Sequence, residues 1–172
     1  MVNGATQWCA FEDGYVIDHL FSGSALCAVN AGGTLVLPAF VRVTLGRRTD
    51  ARAFLLGSHE RDPCLVAYDQ GYARILHQDS ERRRIAEESD SPEASAKRLR
   101  RIFGFVEEIG FGDDGAVVLP AMMRRRARIG AHALVIGVGG SFEIWDAQAA
   151  LDQSDPDLRE IAAFHLDEQY AA

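Results

Sequence analysis

Arginine is spread unevenly along these 172 residues, and its clusters are where chemistry is to be sought first. It gathers in ERRR (Glu81 to Arg84), KRLRR (Lys97 to Arg101) and RRRAR (Arg124 to Arg128), while Arg42, Arg47 and Arg48 form a looser group. A guanidinium is a planar fork of donors that keeps its charge at neutral pH, so it clamps phosphate and reads the edge of guanine bidentately. Binding a polyanion is the chemistry these clusters suit. The formal net charge of −7 counts against that only weakly, because it is unevenly spread, with acids dominating the stretch from Asp152 to Glu168. A phosphate responds to charge within a screening length of about 8 to 10 Å, not to the sum over a chain.

Other chemistries find less support. His19, His59, His77, His132 and His165 are scattered and show no ligand spacing with Cys, Asp or Glu, so no metal and no catalytic residue is expected. Cys9, Cys27 and Cys64 lack CxxC spacing and are an odd number, which fits reduced thiols, with Cys27 and Cys64 expected as small core residues. The run GVGGSFEIWD lacks the lysine and Ser/Thr of GxxxxGK[ST], so Gly139 and Gly140 are expected to make a hairpin turn and no cofactor is implied. The start, MVNGATQWCAFEDG, has no basic segment followed by an apolar run, and no stretch is long enough to span a bilayer. A cytoplasmic protein that is not an enzyme is the expectation.

The clusters need elements to hold them, and the sequence supplies the same set twice. NAGGTLVLP (Asn30 to Pro38) has a near-copy in GDDGAVVLP (Gly112 to Pro120), the two prolines lying 120 − 38 = 82 residues apart. PAFVR then answers to PAMMR, AFLLG (Ala53 to Gly57) to ALVIG (Ala133 to Gly137), and CLVAYD (Cys64 to Asp69) to SFEIWD (Ser141 to Asp146). Matches in one order mark an internal duplication. Each copy reads as strand, turn, strand, short helix, hairpin, helix. Gly32 and Gly33 supply a turn with positive φ, Pro38 and Pro120 each suit a first helical position, and Gly130 is expected to close the second helix. Between the copies, Ser91, Pro92, Glu93 and Gly104 bracket a helix with an apolar stripe of Ala96, Leu99, Ile102 and Phe103. Asp69 to Ser89 is expected to be helical with a charged, fraying second half, and a last helix runs from Pro156 towards Tyr170, capped by Asp155. Lone hairpins are marginal in water, so the halves must bury their apolar faces on each other. An α+β fold follows, mostly β in its core, with one pseudo-two-fold domain. Its parts are an N-terminal segment 1–20, repeats 21–90 and 91–151, and an acidic segment 152–172.

The duplicated turn with LVLP and VVLP, the arginines after each proline, CLVAYD, RRIFG and VIGVGGSFEIWD together resemble the MraZ family, transcriptional regulators of the bacterial division and cell-wall gene cluster. The resemblance runs from Phe21 to about Leu151. It implies a duplicated swapped-hairpin β-barrel of the AbrB type. It also implies a homo-oligomeric ring that binds repeated promoter elements in double-stranded DNA, as a cytoplasmic, nucleoid-associated repressor. In that family each turn carries a DxxxR pattern whose arginine is the residue most directly tied to DNA. Here Asn30 stands at the aspartate position and Thr34 at the arginine position; the second copy has Gly112 and Ala116 there, with Asp113 and Asp114 adding negative charge.

Threonine offers one hydroxyl and alanine nothing, whereas a bidentate base contact is worth about 1–3 kcal/mol of discrimination. A ring can still multiply weak contacts through effective concentration. The replacement donors are Arg42 and Arg124, with Arg47, Arg48, Arg125, Arg126 and Arg128 near them, Thr34 as the polar group left in the turn, and Asn30, Gly32, Gly33, Asp113 and Gly115 as turn scaffold. Arginines in a last helical turn also offset the dipole and cap carbonyls, and four in five residues cannot all face one way. KRLRR suits a solvated helix face or a contact with a neighbouring subunit. The acidic end suits an exposed helix, a partner-docking segment or a DNA mimic. Two functions stay open: a DNA-binding regulator, and a protein-interaction module that keeps the fold but has lost specific DNA binding.

Overall fold

The computed structural model describes residues 19–86 and 91–171. Residues 1–18, most of the N-terminal segment, and Cys9 with them, lie outside the described residues. The first copy comprises β1 (Ser24–Ala28), β2 (Thr34–Val36), α1 (Ala39–Arg48), β3 (Ala53–Ser58), β4 (Leu65–Tyr68) and α2 (Gln70–Ala86). After α3 (Pro92–Phe103), the second comprises β5 (Glu107–Gly110), β6 (Ala116–Val118), α4 (Ala121–Arg126), β7 (His132–Gly137), β8 (Phe142–Asp146) and α5 (Ala147–Leu151), and α6 (Pro156–Ala171) follows. The order of elements is the one the duplication predicts, in an α+β arrangement with a β core.

The first two strands of each copy do not pair with each other. β1 runs antiparallel to β7 of the second copy, and β5 runs antiparallel to β3 of the first, in a six-stranded sheet ordered β1-β7-β8-β4-β3-β5. β2 and β6 pair only with one another, as a separate two-stranded ribbon. Each half thus completes the sheet of the other, which is how strands of three to six residues find enough partners to persist. The register reveals the pseudo-two-fold axis: Leu35 sits opposite its own counterpart Val117, and Val66 opposite its counterpart Glu143.

The same register corrects the match between β3 and β7. Leu56 pairs with Ala67 as Val135 pairs with Ile144, and Ile109 pairs with Phe54 as Cys27 pairs with Ala133. Phe54 therefore corresponds to Ala133, one residue off the alignment on Gly57 and Gly137. A one-residue slip moves every side chain to the opposite face. Phe54 and Ala133 indeed share the main core cluster, whereas Leu134 belongs to the second.

The main core lies between the sheet, the ribbon, α1 and α4, around Phe21, Phe54 and Phe142, whose rings meet at 5.1 and 5.5 Å. Burying each such side chain contributes about 1.5–3 kcal/mol. Cys27 and Cys64 are buried, in line with the expectation of small core thiols, and so are Tyr68 and Trp145. The second cluster lies under α6, whose Leu158, Ala162 and Leu166 pack with Leu134, Ile136 and Trp145. The acidic segment is thus a docked helix with Asp157, Glu160, Asp167 and Glu168 on its exposed face. Asp155 caps it by accepting from the N–H groups of Asp157 and Leu158.

Helix boundaries hold two corrections. Pro38 and Pro120 occupy the N-cap, not the first helical position; the Pro38 carbonyl accepts from the N–H groups of Val41 and Arg42. The left-handed residue closing α4 is Arg128, at φ 55°, and not Gly130. Its N–H donates to Arg125, and that of Ile129 to Arg124, which is the Schellman pattern with Arg128 where glycine usually stands. Gly130 instead donates to the Asp146 carboxylate, which also caps α5 at Ala149. Ser91 caps α3 as expected, accepting from the Ala94 N–H, but no residue of α3 is fully buried. Its stripe of Ala96, Leu99 and Ile102 is half-buried and Phe103 is exposed.

Candidate nucleic-acid interface

Two glycine turns stand at opposite ends of the ribbon, and local chemistry closes each one differently. In the first, the Asn30 carbonyl accepts from the Gly33 N–H at 2.8 Å and its side-chain oxygen accepts from the Thr34 N–H at 2.9 Å. Gly112 has no side chain for the second task. There the Asp114 carboxylate accepts from the Ala116 N–H at 3.0 Å, while the Gly112 carbonyl accepts from Gly115. Gly33 and Gly115 have φ of 86° and 76°, the left-handed region that glycine enters without steric cost. Reciprocal bonds lock the turns together: Leu37 N–H donates to the Gly115 carbonyl and Leu119 N–H to the Gly33 carbonyl, both at 2.9 Å.

The arginines after the prolines cross over. Arg124 of the second copy lies on the turn of the first, where its Nη1 donates to the Ala31 carbonyl at 3.1 Å. A Cβ added to Gly33 would lie within 3.1 Å of its guanidinium. Arg42 of the first copy lies in the same way on Gly115 of the second, with its Nε buried and without a hydrogen-bond partner among the described residues. The sequence places each of these arginines beside its own helix; that each serves the other half's turn follows from the exchange of strands.

The remaining candidates divide. Arg47, Arg125 and Arg128 are exposed, the first in the last turn of α1 and the others at the end of α4. Arg48 is internal: its side chain is 4% exposed, pairs with Asp69 at 2.5 Å, donates to the Gly140 carbonyl at 2.8 Å, and stacks over Phe21. It stands where DNA cannot reach it, so the expectation of an external donor there is corrected. Arg126 is also engaged, donating to the Ser58 hydroxyl at 3.1 Å and lying 3.9 Å from the centre of the Phe105 ring. The negative charge of Asp113 is partnered by Arg52, both exposed. Gly32 is an exposed part of the first turn. Within KRLRR, Lys97, Arg100 and Arg101 are exposed on α3, which packs on β3. Among the described residues, no group of three or more His, Cys, Asp and Glu side chains is placed to hold a metal, and no helix is long and apolar enough to cross a membrane.

Sequence reasoning reached Thr34 and Ala116 but missed Val36 and Val118, which complete the outer face of the ribbon. Leu35 and Val117 point inward, so Thr34, Val36, Ala116 and Val118 point out, and the valines are 53% and 57% exposed. The signal was available in the two-residue period of a strand: once Leu35, Leu37, Val117 and Leu119 are assigned to the core, the residues between them must face away.

No protein-family model matches the chain. Among curated proteins it is similar to the transcriptional regulator MraZ of Nitrosococcus oceani, 30% identical over 128 residues that cover 74% of this chain and 82% of that one. The transcriptional regulator MraZ of Desulfitobacterium hafniense is 30% identical over 135 residues, 78% of this chain and 87% of its own. That of Saccharophagus degradans is 27% identical over 131 residues, covering 76% and 84%.

Proposed function

Because the chain belongs to the MraZ family of transcriptional regulators, we propose that it regulates transcription by binding double-stranded DNA across the face that carries its two glycine turns. The observation that carries this reading is the crossed pair: each turn is met by an arginine of the other half, Arg124 at Gly33 and Arg42 at Gly115. These guanidiniums stand beside the positions at which the turn arginines are missing. Arg47, Arg125 and Arg128 add exposed positive charge at the ends of the two helices. Thr34 contributes a hydroxyl.

In this proposal the exchange of β1 and β5 between halves is that of a swapped-hairpin barrel of the AbrB type, built from repeats 21–90 and 91–151. Copies assemble into a ring on repeated promoter elements of the division and cell-wall gene cluster and repress it from the cytoplasm, at the nucleoid. α3, with its half-buried apolar stripe and no fully buried residue, suits a contact between neighbouring copies.

A salt series on the DNA upstream of its own reading frame tests the reading. Each phosphate contact adds about −0.9 to the slope of log affinity against log salt, so two arginines per subunit over several subunits give about −4 or steeper. Arg42→Ala and Arg124→Ala each flatten that slope. A folded oligomer that does not bind at about 50 mM salt refutes DNA regulation. It supports instead the interaction module, which the loss of arginine at Thr34 and Ala116 favours.

A further inference from the structure

The outer face of the ribbon has an unusual chemical makeup for a surface facing DNA. Its four side chains are Thr34, Val36, Ala116 and Val118, so it presents methyl groups and a single hydroxyl. Directly opposite side chains on an antiparallel pair lie about 4.5–5.5 Å apart, which makes these four a continuous patch. The two exposed valines are equivalent under the pseudo-two-fold that passes between Leu35 and Val117. At the ribbon's two ends stand Arg124 and Arg42.

We propose that this face enters the major groove and reads the C5-methyl groups of thymine through Val36 and Val118, with Arg42 and Arg124 at its ends on the phosphates. The proposal rests on the DNA-binding reading above and names what the face recognises. The size fits: two strands about 4.8 Å apart, with side chains, fill a groove about 12 Å wide, and such ribbons are established occupants of it. The chemistry fits as well. Of the four bases only thymine displays a methyl group in the groove, and apolar side chains are its partners. Valine and alanine cannot donate to guanine, so hydrogen-bonded purine readout is closed to three of the four outward positions. Charge complementarity selects the occupant: an apolar protein surface has no need of a guanidinium at both ends of the patch, whereas a groove floor of thymine methyls is bordered by phosphates on both sides.

Deoxyuridine tests this cleanly, because it is thymidine without the methyl and leaves phosphates and Watson–Crick edges unchanged. The full-length protein is titrated, at one salt concentration, with the fragment upstream of its own reading frame amplified with either dTTP or dUTP. Losing a buried methyl costs about fourfold in affinity, so the uracil fragment, which lacks the methyls met by both Val36 and Val118, is expected to bind about 15-fold more weakly. The V36S/V118S variant, altered only at exposed positions, is expected to bind both fragments equally, with its salt slope and melting temperature unchanged. Equal affinity of the unaltered protein for the two fragments overturns methyl readout while leaving DNA regulation standing. Binding to neither fragment overturns both. A V36S/V118S protein whose mass by light scattering falls below that of the parent also overturns the proposal, because the face is then a contact between copies.

Discussion

Asp69→Ala is expected to destabilise the protein by about 4–6 kcal/mol, and the structure separates two sources for the loss. The Asp69 and Arg48 side chains are 3% and 4% exposed and pair at 2.5 Å, so truncating the aspartate strands a buried guanidinium. Breaking a buried pair from one side costs about 3–5 kcal/mol. Asp69 also accepts from the Tyr72 N–H at 3.1 Å, capping α2, and a lost cap costs about 1 kcal/mol. Asp69→Asn retains an oxygen for the cap and loses the charge, so it should fall short of the alanine variant by about that cap contribution. Arg48→Met removes the charge with its need for a partner and fills similar volume, and it should cost far less than Asp69→Ala. Urea unfolding gives the free energies. In thermal melts, at about 2–4 °C per kcal/mol for a chain of this size, Asp69→Ala should melt about 8–24 °C lower. A loss below about 1 kcal/mol, the value of an exposed pair, would refute the internal role of Arg48. So would a folded Arg48→Met protein whose DNA affinity drops as far as that of Arg42→Ala.

Three further outcomes follow from the turns, the helix ends and the thiols. Gly33→Ala and Gly115→Ala each force an L residue to a φ of 86° or 76° and push on an arginine, so each should lose about 1–2 kcal/mol in urea unfolding. Their DNA affinities should approach those of Arg124→Ala and Arg42→Ala respectively. Arg128→Gly relieves a left-handed arginine but frees the unfolded chain, for a net gain of about 0.5–1 kcal/mol; a lower melting temperature would contradict the Schellman assignment. Burial pushes the Cys27 thiol up from 9.0 to about 11, and pushes Cys64 up further, with Glu143 and Asp62 adding to the shift. Neither thiol should label at pH 8 before denaturation. Above pH 9 the unfolded chain gives up the Cys27 proton first, so stability should fall from pH 9 to about 11, and Cys27→Ala should remove part of that fall.

The elements were legible where local chemistry marks them. Pro38, Pro120, Ser91 and Asp155 each announce a helix, and the duplicated LVLP and VVLP announce matched strands. Partners were not legible, because a short strand such as SALCA carries no record of which distant edge will satisfy its backbone. That is why the crossing of Arg42 and Arg124 to the opposite turns appears only with the fold. Gly57 and Gly137 share a residue type but not a place in the fold: the pairing follows the side on which Phe54 and Ala133 must lie. Arg48 was misplaced for a related reason. Arg47 and Arg48 are neighbours in type and sequence, but adjacent helical residues lie about 100° apart, and only one of them turns towards Asp69.

Covalent fusion of the two halves gives the molecule a direction. Two identical half-chains would present the same turn twice, and an elongated ligand could lie across them either way round. Here the turns have diverged. One is neutral, with Asn30, Ala31 and Gly32; the other is acidic, with Asp113 tied to Arg52 and Asp114 closing its own backbone. A ligand laid along the ribbon meets unlike ends, so one orientation is favoured over its reverse, and a platform with pseudo-two-fold strand pairing acts as an arrow.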